Sequence, residues 1–253
     1  MASIGRLDDK VALVTGASSG IGAGTAILFS QLGARVIITG RNEENLKKTA
    51  EQCNQDKYKP VLLIGDLTKE NDVQRIVDET IAAAGRLDIL VNNAGVFSTV
   101  SIETTSLEDF DKIFNINVRS VYNITMLCVP YLVKTKGNIV NVSSIAGLRP
   151  FPDILPYSMS KSALNQMTRC VALEMAPKHV RVNAVNPVAT DTDIFRRAGF
   201  TEEDNAKLLE QCKSVLALGR VAEVIDVANL IAYLASDSAS FMTGNTVPVG
   251  FFQ

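Results

Sequence analysis

"VALVTGASSGIG", residues 11–22, joins a short β-branched run to a turn with three glycines, and a helical pattern follows it. A tight turn from a strand into a helix favours residues without a Cβ, here Gly16, Gly20 and Gly22. Such a turn also lets backbone N–H groups at the start of the helix approach a pyrophosphate. The segment therefore predicts a strand–turn–helix unit that binds a dinucleotide, the alternative being a purely structural turn.

The same alternation of strand and helix patterns continues along the chain. Further β-branched runs begin at Arg35, Pro60, Leu87, Asn138 and Val180, and helical periodicity covers 21–32, 42–54, 70–84, 107–135 and 158–176. Strands this apolar are covered on both faces. The pattern predicts an α/β fold in one domain, 1–253: a doubly wound parallel sheet of the Rossmann type, with ligands at the carboxyl ends of its strands.

Composition excludes several classes of protein. The 253 residues carry a net charge of -2, which gives no basic excess for binding nucleic acid. The four cysteines are far apart and form no C-x-x-C pair, so neither a disulfide scaffold nor a metal site is indicated. The N-terminus lacks a signal-peptide pattern, and no apolar run reaches the length of a membrane span. We expect a cytoplasmic protein with no membrane or nucleic-acid partner.

The end of the second predicted strand bears on the choice of dinucleotide. An enzyme that selects NAD usually places an Asp or Glu there, where it hydrogen-bonds the ribose 2′-hydroxyl. Here the strand ends on Gly40, and Arg41 follows. A guanidinium matches a phosphate, whereas a carboxylate would repel one. The sequence therefore predicts NADP(H), unless Arg41 is an ordinary surface cation.

"YSMSK", residues 157–161, places a phenol and an ammonium one helical turn apart, on the same face. Reduction of a ketone adds a hydride to carbon and a proton to oxygen, so the oxygen needs a proton donor. The pKa of a phenol, about 10, is high for this role, and a nearby cation lowers it. Tyr157 and Lys161 fit this chemistry, although a surface pair is the simpler alternative. Ser144 follows a strand at the expected ligand edge and can hydrogen-bond a substrate oxygen.

Four motifs in this order, "TGASSGIG" (15–22), "NNAG" (92–95), "NVSS" (141–144) and "YSMSK", resemble the short-chain dehydrogenase/reductase family over essentially the whole chain. The resemblance implies that Tyr157 is the general acid/base, that Lys161 lowers its pKa, and that Ser144 polarises the substrate oxygen. It also implies that Asn117 holds the water of a proton relay. Asp66 would contact the adenine, Asn92 would brace the central strands, and Thr192 would contact the nicotinamide carboxamide. The implied cofactor site contains no metal and comprises Gly16, Ser18, Ser19, Gly20, Ile21, Gly22, Arg41, Asn42, Asp66, Leu67, Asn93, Ala94, Gly95, Tyr157, Lys161, Pro187, Val188, Thr190 and Thr192.

Two positions depart from the family pattern. Val188 follows Pro187 where the family usually has glycine, and a β-branched residue there narrows the backbone choices beside the nicotinamide. "VGFFQ", residues 249–253, replaces the frequent "DGG" and puts in doubt the C-terminal contacts that help many relatives form tetramers. We still expect a homo-oligomer, either a dimer or a tetramer.

The predicted function is NADP(H)-dependent hydride transfer to or from a carbonyl or alcohol substrate. The residues expected around that substrate are apolar, which favours a lipophilic compound: Phe97, Phe151, Ile154, Leu155 and Phe195. The polar segment 193–214 is expected to form a lid. One alternative is a 3-oxoacyl-(acyl-carrier-protein) reductase, for which Arg149, Arg196 and Arg197 would have to form a basic patch. The other is a nucleotide-binding sensor or scaffold without turnover.

Overall fold

The computed structural model describes residues 5–53 and 56–251. Its strands are β1 Val11–Thr15, β2 Arg35–Gly40, β3 Val61–Ile64, β4 Ile89–Asn92, β5 Asn138–Val142, β6 Arg181–Pro187 and β7 Thr246–Val249. They form one parallel sheet in the order β3-β2-β1-β4-β5-β6-β7. The fold class predicted from the sequence is confirmed.

Helices cover both faces of this sheet. They are α1 Gly20–Gln31, α2 Glu43–Gln52, α3 Glu70–Ala84, α4 Leu107–Phe114, α5 Ser120–Thr135, α6 Leu155–Met175, α7 Ile194–Arg197, α8 Glu202–Val215 and α9 Val224–Ala235. Alternate residues of β1 belong to different layers: Ala12 and Val14 pack with α1 and α9, while Val11 and Leu13 pack with α3, α5 and α6. The strands are apolar on both sides because both sides are buried.

Three larger features of the structure depart from the sequence prediction. A π-helical segment, Asn115–Arg119, divides the pattern at 107–135 into α4 and α5. Helix α6 begins at Leu155 rather than 158, because a proline such as Pro156 is tolerated in the first turn of a helix. Strand β7 was not predicted. It lies at the edge of the sheet, is only partly buried and contains Pro248, so its pattern is weak.

The order of the strands creates a crevice at the carboxyl edge. The chain runs outward from β1 to β3, and α3 then returns it to β4 on the other side of β1. The connections that follow β1 and β4 therefore leave the sheet in opposite directions. Open α/β sheets bind ligands in the crevice between two such strands. In the part of the chain that the structure describes, no helix has the length and apolarity needed to cross a membrane.

Gly16 and Gly22 let the turn after β1 pack closely against the loop after β4. Gly16 has a φ of +63°, and a Cβ there would lie 2.8 Å from the Cα of Ala94. A Cβ on Gly22 would overlap the Asn93 side chain and lie 2.5 Å from the Gly16 carbonyl oxygen. The glycines thus keep the crevice between β1 and β4 narrow at its base and open above.

Candidate active site

Two adjoining clefts occupy the carboxyl edge of the sheet. The first, of about 700 Å³, lies over the ends of β1 to β4. The second, of about 520 Å³, lies over the ends of β5 and β6 and is closed by α6, α7 and α8. The residues that line both clefts mark where they join: Ile21, Asn93, Gly95, Val96, Thr192 and Ile194.

The structure distributes the predicted site residues between these clefts. The first is lined by Gly16, Ser18, Ser19, Gly20, Ile21, Arg41, Asn42, Asp66, Leu67, Asn93, Ala94, Gly95 and Thr192. The second is lined by Ser144, Tyr157, Lys161, Pro187, Val188 and Thr190, and by some of the shared residues. Gly22 and Asn117 line neither cleft and lie just behind the walls. Most of the predicted nucleotide residues therefore lie in one cleft, and Ser144, Tyr157 and Lys161 lie in its neighbour, together with the predicted cofactor residues Pro187, Val188 and Thr190.

The positive end of α1 faces the first cleft. Ser19 is the N-cap residue, but its hydroxyl makes no capping bond, and the first turn of the helix contains no acidic residue. The Ser19 hydroxyl instead accepts a hydrogen bond of 2.6 Å from the Arg197 guanidinium. The N–H groups and dipole of this helix end favour a bound anion.

Asn92 and Asn93 hold the central strands and the glycine turn in place. The amide of Asn92 donates to Asn141 on β5 and to Thr125 on α5, so it braces the strands as predicted. The Asn93 amide donates to the backbone oxygens of Thr15 and Gly16 at 2.9 and 3.1 Å. The Asn93 side chain thus supports the nucleotide turn from below.

At the end of β2, Arg41 is exposed and lines the first cleft. It forms no hydrogen bond or ion pair with any other residue in 5–53 and 56–251. The carboxylates of Glu43 and Glu44, in the first turn of α2, form ion pairs of 2.7 Å with Lys47 and Lys48. The Asn42 side chain caps α2 by accepting from a backbone N–H. Arg41 is therefore available to an anionic ligand at this end of the cleft.

Asp66 also lines the first cleft, directly after β3. Burial raises the pKa of this carboxyl, but the hydrogen bonds from Thr68, with the charge of Arg41 nearby, hold it below its usual range. One carboxylate oxygen accepts from the Thr68 backbone N–H at 3.0 Å and from its hydroxyl at 2.8 Å. Asp66 is thus a fixed, ionised acceptor.

Ser144, Tyr157 and Lys161 meet in the second cleft, and all three are buried. The Ser144 hydroxyl and the Tyr157 phenol line the same cleft, and their interaction lowers the pKa of Tyr157. The Lys161 ammonium lies 5.7 Å from the centre of the Tyr157 ring and donates to the Val142 carbonyl at 2.9 Å. One turn of α6 therefore places an acid/base group and a cation together at the junction of the clefts.

The pKa of Tyr157 does not shift in the predicted direction. Burial raises the pKa of Tyr157, and the Ser144 interaction offsets this only in part. Burial also lowers the pKa of Lys161 to about 8. The pKa of Tyr157 therefore lies above its usual value rather than below it as expected, because burial disfavours the phenolate more than the Ser144 interaction favours it.

Asn117 lies in the π-helical segment and joins it to the loop after β4. Its amide donates to the Val96 carbonyl at 2.9 Å and to the Ser160 hydroxyl at 3.1 Å, and its oxygen accepts from the Val96 N–H at 2.8 Å. Both amide hydrogens are therefore used by protein. A Cβ on Gly95 would lie 3.3 Å from the Asn117 oxygen and 3.5 Å from the Lys161 nitrogen, so Gly95 leaves the space between them open.

Aromatic side chains cover Tyr157 in the second cleft. Phe97 packs edge-on against Tyr157 with ring centres 5.0 Å apart, and against Phe195 of α7 at 5.1 Å. Phe200, Leu208 and Cys212 also line this cleft and were not predicted from the sequence. The spacing of positions 208 and 212, one turn apart on α8, was the available signal. Leu155, which was predicted here, is exposed instead.

Val188 forms part of the wall of the second cleft and packs with Ile145, Leu216 and Ala222. A Cβ on Gly250 would lie 2.6 Å from a Val188 methyl carbon, and Gly250 has a φ of +96°. The glycine in the unusual C-terminal segment therefore makes room for the unusual valine. The two departures from the family pattern are in direct contact.

Known proteins resemble this chain over nearly its whole length. A family model described as enoyl-(acyl carrier protein) reductase matches residues 16–250. The 3-oxoacyl-(acyl-carrier-protein) reductase of Thermotoga maritima is 37% identical over 247 residues, covering 96% of this chain and 97% of the relative. A cyclopentanol dehydrogenase of Comamonas is also 37% identical over 247 residues, covering 97% of each.

Among solved structures, the 3-ketoacyl-(acyl-carrier-protein) reductase of Brucella melitensis, complexed with NADH, superposes with a TM-score of 0.88. It is 33% identical, and the match covers 96% of this chain and 98% of that one. The fold, the family model and the identity of these relatives agree. The chain therefore belongs to the short-chain dehydrogenase/reductase family and is an oxidoreductase with a nicotinamide cofactor.

Proposed function

We propose that the protein transfers a hydride between NADP(H) and a lipophilic carbonyl or alcohol substrate, with Tyr157 as the general acid/base. The observation that carries this proposal is that Ser144, Tyr157 and Lys161 are all buried and line one cleft beside the point where the two clefts join. The first cleft suits a dinucleotide and the second a small apolar molecule.

The first cleft fits the cofactor in shape and in charge. Its base is formed by the close contact of Gly16 with Asn93 and Ala94, which a Cβ at Gly16 would prevent, and the uncapped end of α1 faces it. Thr192, close to Gly20, lies where the clefts join. Arg41, which forms no ion pair within the described residues, supports a preference for a 2′-phosphate. A bound nicotinamide supplies or accepts the hydride.

The chain's own residues account for the movement of the proton. Because burial raises the pKa of Tyr157, the phenol stays protonated at neutral pH and can donate to a carbonyl oxygen that gains negative charge. Ser144 donates a second hydrogen bond to the same oxygen. Lys161 remains cationic below about pH 8 and stabilises the phenolate that donation leaves behind. A water molecule held between Lys161 and Asn117 would carry a proton back to the Tyr157 phenolate.

The substrate class follows from the second cleft. Phe97, Phe151, Phe195 and Phe200 line it, together with Val188. A carbonyl compound with an alicyclic or aromatic body would bury apolar surface against these rings while its oxygen reached Tyr157. The proposal includes a lid formed by residues 193–214, because α7 and α8 contribute side chains to the lining of the second cleft.

Reduction of a 3-oxoacyl-(acyl-carrier-protein) is the second candidate, because two of the similar proteins carry that name. It needs a basic patch beside the substrate cleft. Arg196 and Arg197 line the cofactor cleft instead, and Arg196 is paired with Asp193 and Glu202. A comparison of alicyclic ketones with acetoacetyl-carrier-protein as substrates separates the two candidates.

We also propose that the protein is a homo-oligomer of two or four copies. Tyr122 and Met126 lie one turn apart on α5 and are exposed, as are Met159 and Leu173 on α6. A second copy of the same face would cover this apolar surface. The cytoplasmic location indicated by the cysteine pattern and the single-domain boundary remain predictions.

Tyr157→Phe should reduce kcat by at least about 10²-fold, because it removes the proton donor and keeps the ring that packs on Phe97. Affinity for NADPH, measured by fluorescence titration, should change less than about twofold. Tyr131→Phe, which lines neither cleft and lies outside the proposed subunit interface, is the matched control and should leave kcat unchanged. A Tyr157→Phe enzyme with near-normal kcat would exclude Tyr157 as the acid/base.

Lys161→Met should change how stability depends on pH. The folded-state pKa of Lys161, about 8, lies below the usual 10.5, so the unfolded chain binds more protons between these values. The wild-type free energy of unfolding should therefore gain on the order of 2–3 kcal/mol relative to the variant as pH rises through that window. Urea unfolding across pH 7 to 10.5 measures this, with exposed Lys112→Met as the control for loss of one charge. If the difference in unfolding free energy between wild type and variant did not change with pH, the Lys161 ammonium would not be destabilised by burial.

NADPH should exceed NADH in kcat/KM by at least about tenfold, the effect of one charge-assisted contact to phosphate. Arg41→Ala should remove most of this preference by weakening NADPH alone, and Arg41→Lys should retain part of it. Gly40→Asp should shift the preference toward NADH, since the carboxylate repels a 2′-phosphate and the new Cβ meets only side chains, Ser18 at 3.2 Å and Leu46 at 3.7 Å. Equal losses with both cofactors in Arg41→Ala would contradict this assignment.

A further inference from the structure

Helix α7 stands between the two clefts and contributes to both. Ile194 lines both clefts, and Phe195 faces the second, where it contacts Phe97. Arg196 and Arg197, on the same short helix, line the first. A movement of α7 would therefore alter the cofactor cleft and the substrate cleft together.

The two arginines of α7 differ in their charge partners. Arg196 is neutralised by Asp193 at 2.8 Å and by Glu202 at 2.7 Å. Arg197 donates to the Ser19 hydroxyl at 2.6 Å and to the Asp193 backbone carbonyl at 3.4 Å, both of which are uncharged. No carboxylate in the described ranges forms an ion pair with Arg197. Its positive charge is therefore uncompensated at the rim of the first cleft.

The Ser19 contact places that charge beside a second source of positive potential. An N-cap serine normally accepts from an N–H of its own helix, yet here its oxygen is bound by Arg197. The first turn of α1 has no acidic residue either. The guanidinium and the positive helix end thus lie side by side without a negative group between them. A pyrophosphate would satisfy both, since it accepts from backbone N–H groups and from a guanidinium.

We propose that Arg197 is a cofactor-binding residue carried by the lid. In this proposal, which rests on the proposed function, a pyrophosphate oxygen takes the place of the Ser19 hydroxyl on the Arg197 guanidinium. The contact then holds α7 over the cofactor, with Phe195 against Phe97 above Tyr157. Because NADPH and NADH share the pyrophosphate, Arg197 contributes affinity for both, whereas Arg41 distinguishes between them.

The test compares dissociation constants for NADPH and NADH, measured by fluorescence titration of the full chain at fixed ionic strength. Arg197→Ala should weaken both cofactors by about tenfold or more, and by the same factor. Arg197→Lys should lose less, and Arg220→Ala, which removes an arginine that is paired with Asp226 and lines neither cleft, should change either constant less than about threefold. Thermal melts would verify that each variant folds.

Hydrogen exchange gives a readout independent of turnover. NADP⁺ should protect amides of 193–214 in the wild-type protein and leave them unprotected in Arg197→Ala. Unchanged affinities in Arg197→Ala would overturn the proposal, and so would a loss confined to NADPH. Loss of affinity with normal protection would refute the coupling to the lid. Failure of the wild-type protein to bind either cofactor would instead refute the proposed function itself.

Discussion

The backbone of Gly16 packs against that of Ala94, and the rest of the site depends on this contact. A Cβ on Gly16 would lie 2.8 Å from the Ala94 Cα, so the approach is possible only for glycine. Asn93 strengthens it by hydrogen-bonding Thr15 and Gly16. The turn after β1 and the loop after β4 are thereby locked together, and Gly95 and Val96 follow at the point where the two clefts meet. Val96 in turn holds Asn117 in the π-helical segment.

The second constraint is the burial of a charged group. Lys161 lies at 5% exposure, and its ammonium bonds only the Val142 carbonyl among the protein groups described. Burial of an ammonium group lowers the stability of the fold. Groups perturbed in this way are concentrated at functional sites, and Lys161 lies beside Tyr157. The aromatic cover from Phe97 and Phe195 keeps the Tyr157 phenol away from bulk water. The same burial disfavours the phenolate and so keeps the phenol protonated.

Much of this could be predicted from the sequence because the information is local. Strands buried on both faces are continuously apolar, and glycines at 16, 20 and 22 follow the first of them directly. The spacing of Tyr157 and Lys161 places them on one face of any helix. What could not be predicted depends on distant parts of the chain. The pKa of Tyr157 is set by burial beneath Phe97 and α7, and the fit of Val188 depends on Gly250, sixty-two positions later. The pairing of Arg197 with Ser19 likewise joins residues that no local pattern connects.

The central claim is that Tyr157 and its neighbours complete a hydride transfer to a carbonyl carbon rather than only holding a nucleotide. It is tested most directly by a single-turnover reduction of an alicyclic ketone with NADPH that carries deuterium at the transferring C4 position, with product analysis by mass spectrometry. The account predicts an alcohol with one deuterium on its carbinol carbon. Bound, unreacted cofactor and no labelled alcohol, across alicyclic and aromatic ketones, would contradict it.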